Sequence, residues 1–70
     1  MDRSQGFGLT DREYRVLLLI TDGLADHEIA AALTVSRSTV DEDVRAILRK
    51  VGAASRLEAA VRALKSRLIR

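Results

Sequence analysis

Between Arg37 and Lys50 the chain gathers its most chemically able side chains. Arg37, Asp41 and Arg45 recur every four residues, Asp41-Glu42-Asp43 sets three carboxylates in a row, and Arg49-Lys50 closes the stretch. Cations at helical spacing neutralise phosphate, and arginine also reads guanine in the major groove of duplex DNA. Carboxylates there repel phosphate, yet each can accept a hydrogen bond from cytosine N4. Ser38 and Thr39 beside Arg37 add hydroxyls that reach phosphate or a base edge. Successive helical residues turn by about 100°, so the three acids point in different directions and do not assemble a metal site.

Other chemistries find little support. The absence of Cys removes disulfides, thiolate nucleophiles and zinc-thiolate sites together. The single His27 cannot build a metal cluster alone and reads as a solvated residue. Four short helices are expected to leave no cleft for a nucleophile beside a base, so neither an enzyme nor a cofactor is expected. Phe7 and Tyr14 are the only aromatic residues, which argues against the stacking platforms of RNA and single-strand binders. No apolar run approaches the roughly 20 residues of a membrane span. Met1-Asp2-Arg3-Ser4 leads into no signal-peptide core, and the cytoplasm is the expected compartment.

Positioning the Arg37–Lys50 cluster falls to a chain of 70 residues, 47% hydrophobic and without proline, a composition that reads as compact and helical. So short a chain buries only about 60% of its unfolded surface, so a partner or second copy would help it. Thr10 and Glu13 form a capping box for a first helix, with Leu9 and Tyr14 as a hydrophobic staple. The run Val16-Leu17-Leu18-Leu19-Ile20 is too continuous for a surface helix, and Gly23 supplies its left-handed stop. Asp26 is the expected cap of a short second helix that buries Ile29, Ala30 and Leu33.

After a break at Thr34-Val35, Ser36 caps a third helix lasting to about Lys50 or Val51. Its inner face carries Val40, Val44, Ile47, Leu48 and Val51. A short helix, a tight turn and a longer helix make a helix-turn-helix pattern. Gly52 ends the third helix, and Ser55 with Glu58 reads as a second capping box opening a fourth. That helix lines Leu57, Val61, Leu64 and Leu68 along one side. Charge divides between the halves. Residues 1–35 hold three cations against six anions, a balance of −3, whereas residues 36–70 hold nine against four, or +5. The second half is the candidate surface for a polyanion.

The segments LTDREYRVLLLITDG (9–23), EIAAALTVSRSTV (28–40) and ILRKVGAASRLEAAVRAL (47–64) resemble the DNA-binding domain of LuxR-type regulators, also called GerE-like or NarL-like. The resemblance implies an all-α fold of four helices, a tri-helical core plus a C-terminal helix, spanning residues 9–70 behind a tail at 1–8. It further implies a transcription regulator, or the output domain of one, that binds double-stranded DNA with its third helix in the major groove. Arg37, Ser38, Thr39, Asp41, Glu42, Arg45, Arg49 and Lys50 are the expected DNA-binding residues. A homodimer is expected through the fourth helix, by Leu57, Ala60, Val61, Leu64 and Leu68, with Ala59, Ala60 and Ala63 small enough for close approach. A regulatory protein is a possible further partner.

The acidic tripeptide departs from the family pattern, which usually reads Thr-Val-Lys, any residue, then His, where this chain has Thr39-Val40-Asp41-Glu42-Asp43. Asp41 is expected to pair with Arg37 and Arg45. Asp43 reads as a solvated carboxylate near the helix N-terminus, and Arg56 as a structural group bonding the loop. A second function class stays open at this point: an interaction or dimerisation module on the same fold, its DNA face neutralised by Asp41, Glu42 and Asp43. No receiver or ligand-binding domain is expected within these residues, so the chain reads as a small regulator or as a piece of a larger one.

Overall fold

Thr10 starts the fold as expected. Its Oγ1 accepts the Glu13 N–H (3.1 Å) while Glu13 Oε1 accepts the Thr10 N–H (2.9 Å), a reciprocal box. The computed structural model describes residues 7–66, and among them four helices and no strand: α1 (Asp11–Thr21), α2 (Asp26–Leu33), α3 (Arg37–Val51) and α4 (Arg56–Lys65). Leu68, expected on the apolar side of α4, lies outside the described residues, as does most of the expected tail. Phe7 packs against the core.

The ends of α1 and α3 follow their glycines. Gly23 adopts φ 87° and its N–H bonds Ile20 O, while the Leu24 N–H bonds Leu19 O, which together close α1. Gly52 does the same for α3 at φ 77°. Two caps differ from expectation. Asp26 does not cap α2: the N-cap is Ala25, which has no side-chain acceptor, and Glu28 Oε1 instead takes the Ala25 N–H at 2.7 Å. Asp26 is free for another partner because it has already entered the helix. At α4, Ser55 Oγ accepts the Glu58 N–H (3.1 Å), but the Glu58 carboxylate bonds the N–H of Ala54 (2.7 Å), one residue earlier than a reciprocal box requires.

The helix-turn-helix corner is made by Thr34, whose φ of 56° is left-handed for a β-branched residue. Its N–H and that of Val35 bond Ala31 O and Ala30 O, so the αL residue turns the chain while pairing two of the last carbonyls of α2. Ser36 Oγ then accepts the Thr39 N–H (3.1 Å) and starts α3.

Packing centres on α3, which touches the other three helices. Val16, Leu17, Ile29, Val40 and Ile47 are fully buried, with Val44, Val51, Ala59 and Ala63 completing the core. Each of the larger side chains stabilises the fold by about 1.5–3 kcal/mol through burial. Leu18 and Leu19 are half-buried against the same core, so α1 is wrapped on most of its circumference. Leu33 and Leu48 likewise sit at its margin. Ala59 and Ala63 have no exposed surface. The small residues of α4 therefore serve the approach of α4 to its own core, and not, as expected for these two, the approach of a second copy.

Candidate nucleic-acid interface

Orientation of α3 is set by two charged links to α1. Arg12 donates from Nε to Asp43 Oδ2 (2.6 Å) and from a terminal nitrogen to Asp43 Oδ1 (3.1 Å), a bidentate fork. Asp43 is buried, with 5% of its surface exposed, so it is not the solvated carboxylate expected near the start of the helix. Val40, Val44 and Ile47 lie on the same side, and one step of about 100° from Glu42 carries Asp43 into the seam. The Arg12 guanidinium is raised above its ordinary value by the Asp43 hydrogen bond and charge.

The second link is Lys50 Nζ to Glu13 Oε1 at 2.7 Å. Burial pushes the Glu13 carboxyl up, but the hydrogen bonds from Lys50 and the Thr10 N–H outweigh it, and the group lies below its ordinary 4.5. Lys50, expected to grip phosphate, has its ammonium on Glu13. Among the described residues no buried side-chain polar atom lacks a partner. Burying these carboxylates is tolerated because each is matched by a cation, Asp43 by both arms of the Arg12 fork and Glu13 by Lys50 together with the Thr10 N–H.

With Asp43 turned inward, the outward side of α3 carries Arg37, Ser38, Asp41, Glu42, Arg45 and Arg49, all exposed. Three cations face two acids there. Asp41 Oδ2 takes Arg45 Nε at 3.1 Å across one turn, and among the described residues no ion pair joins Asp41 to Arg37. Glu42 makes no salt bridge among the described residues. At the N-terminus of the helix Ser36 Oγ donates to Thr39 Oγ1 (2.9 Å) and lies 3.2 Å from Ser38 Oγ, so Thr39 is half-buried and tied to the cap.

Arg56 is structural, as expected. It donates to Asp26 Oδ1 and to Leu24 O (3.1 Å), joining α4 to the first residue of α2 and to the loop before it. The Glu58 carboxyl lies below its ordinary value, chiefly through the Ala54 N–H and then Arg62. On the other side of α4, Leu57 is 75% exposed, Leu64 46% and Val61 39%. With Ile20, Leu24 and Ala60 they border an open groove of about 440 Å³ between α1 and α4. The groove is walled by apolar side chains, and Arg56 is its one charged lining residue. No helix among the described residues is long and apolar enough to cross a membrane, and none of their acids or His27 forms a group able to hold a metal ion.

The α1–α3 charge links were not anticipated, because their partners stand 31 and 37 positions apart in the chain. The signal for Asp43 was present in its register with Val40, Val44 and Ile47. Nothing local singled out Arg12 or Glu13 as its counterparts.

Comparison with known proteins places this arrangement in a family. The profile of the bacterial regulatory proteins of the luxR family, GerE, matches residues 8–63. Over 53 residues the chain is 47% identical to a nitrate/nitrite response regulator protein homolog of Haemophilus influenzae, covering 76% of this chain and 26% of that protein. It is 40% identical over 67 residues to the uncharacterized transcriptional regulatory protein YhcZ of Bacillus subtilis, covering 96% and 31%. It is 39% identical over 61 residues to the response regulator protein VraR of Staphylococcus aureus, covering 87% and 29%. The chain thus spans between about a quarter and a third of the length of these relatives.

Proposed function

The chain belongs to the luxR family of bacterial regulatory proteins, and from that premise we propose that it binds double-stranded DNA sequence-specifically, with the outward side of α3 in the major groove. The observation that carries this reading is the exposure of Arg37, Arg45 and Arg49 on one side of a helix whose other side is sealed into the core. A helix held rigidly along one face and open along the other is what major-groove docking requires. Ser38 and Thr39 add hydroxyls at its leading end, and Asp41 and Glu42 lie among the arginines. Lys50 is set apart from this group by its bond to Glu13.

Neutralisation of the face is less complete than three consecutive acids imply. Asp43 is spent on Arg12, which leaves two exposed carboxylates against three arginines. This balance favours the DNA-binding reading over an interaction module with a silenced face. Dimerisation is part of the proposal: the exposed Leu57, Val61 and Leu64, with Ala60 between them, form an apolar stripe that a second copy covers, placing two α3 helices on a two-fold site. The similarity to response regulators supports a role as the output module of a transcription regulator.

Titration of a labelled random duplex at roughly 50 and 200 mM salt tests the reading, since phosphate neutralisation makes affinity fall steeply with salt. The proposal expects measurable, salt-sensitive binding by the unaltered chain and tighter binding by Asp41→Lys. No binding to any duplex at the lower salt overturns it. Sedimentation at micromolar concentration tests the dimer, and Leu64→Asp is expected to yield a folded monomer.

A further inference from the structure

Glu42 occupies the middle of the outward side of α3. Ser38 and Arg45 lie one helical turn away from it on either side, Arg49 two turns on, and all are exposed. Neighbouring carboxylates are committed elsewhere: Asp43 to Arg12 in the seam, Asp41 to Arg45 along the helix. Glu42 makes no ion pair among the described residues, the Arg12 guanidinium feeling its charge only weakly, and so presents its carboxylate to solvent at the middle of the outward side.

Resting on the reading of α3 as a major-groove helix, the geometry points to Glu42 as a specificity-determining residue that selects cytosine through its N4 amino group. An ionised carboxylate only accepts hydrogen bonds. The major groove offers two kinds of donor, cytosine N4 and adenine N6. Adenine N6 is flanked by acceptors on both sides, its own N7 and thymine O4, where the second carboxylate oxygen meets repulsion, whereas cytosine N4 has guanine O6 on one side and only the C5–H on the other. Guanine and thymine present acceptors at their edges and exclude the group. The Asp41–Arg45 pair works alongside it. Asp41 holds Nε of Arg45 and leaves the terminal nitrogens for a guanine, the partner base an arginine prefers. A carboxylate in this place costs general affinity for phosphate and returns it as discrimination among bases.

The test is selection of bound duplexes from a random pool by the unaltered chain, by Glu42→Gln and by Glu42→Ala. Glu42 makes no salt bridge among the described residues, so all three are expected to fold alike, which circular dichroism verifies. The unaltered chain is expected to prefer cytosine about tenfold at one position of each half-site. Glu42→Gln is expected to move that position to adenine, whose N6 and N7 match an amide. Glu42→Ala is expected to erase the preference there while binding random duplex more tightly. Identical base preferences in all three proteins overturn the role of Glu42 and leave DNA binding standing. Recovery of no duplex by the unaltered chain overturns both.

Discussion

Two acids one residue apart on α3 live in opposite surroundings. Asp43 is buried and forked onto Arg12, a residue of another helix, whereas Glu42 stands in solvent without an ion pair among the described residues. Their chemistry is nearly the same, and a rotation of about 100° separates them. The inward side of α3 consists of core side chains with Asp43 and Lys50 locked to α1, and it fixes where the helix lies. The outward side consists of exposed charges, of which Asp41 and Arg45 pair with each other, and it is the surface proposed to meet DNA. Similar residue types are therefore expected to differ in the cost of mutation, according to side.

The largest effect is expected from Ile47→Ala, which opens a cavity at a fully buried site and costs about 3 kcal/mol in chemical denaturation. For a domain of this size that is a large share of the total. Asp43→Ala follows, at about 2 kcal/mol, because a buried charge-assisted fork is lost. Asp41→Ala and Glu42→Ala, by contrast, are expected to stay within about 0.5 kcal/mol. Equal costs at 42 and 43 in thermal melts would break the division between the two sides.

Glu13→Gln sharpens it further, since it loosens the Lys50 link at about 1 kcal/mol. The Glu13 carboxyl titrates below its unfolded value of about 4.5, so the stability it contributes is present above that pH and is lost as pH falls through its lower folded value. Denaturation of the two proteins at a series of pH values is expected to show their difference at neutrality and its disappearance on acidification below 4.5. Thr34→Gly acts in the other direction. Relieving a left-handed β-branched residue at the corner is expected to add about 0.5–1 kcal/mol, read as a rise in Tm, without altering either side of α3. The smallest effect on stability, and the clearest on DNA, is expected from Asp41→Lys: unchanged melting, with a salt dependence steeper by about one phosphate contact.

Much of this architecture was legible in the sequence. Thr10-Glu13, Gly23, Ser36 and Gly52 each carry a local signal, because caps and left-handed stops depend on residues within one turn, and the helices begin and end there. The periodicity of Val40, Val44, Ile47 and Val51 gave the core side of α3 for the same reason. Asp43 was misread as solvated because its partner lies on another helix, and spacing within one element carries no information about that. Asp26 was misread as a cap for a similar reason: its carboxylate faces Arg56 of α4, thirty residues on. The alanines of α4 allow close approach to any surface, and only packing shows that Ala59 and Ala63 approach their own core. The family resemblance named the outward side of α3, but the allocation of its three acids between seam and solvent required the fold.

The account turns on the outward side of α3 being the surface that meets a duplex. Backbone amide chemical shifts, followed by NMR as a duplex recovered by selection is added, test this residue by residue. The account predicts that the largest shifts fall on Arg37, Ser38, Glu42, Arg45 and Arg49, with Val61 and Leu64 of the α4 stripe little moved. Shifts gathered along the groove between α1 and α4, with that side of α3 silent, would contradict it.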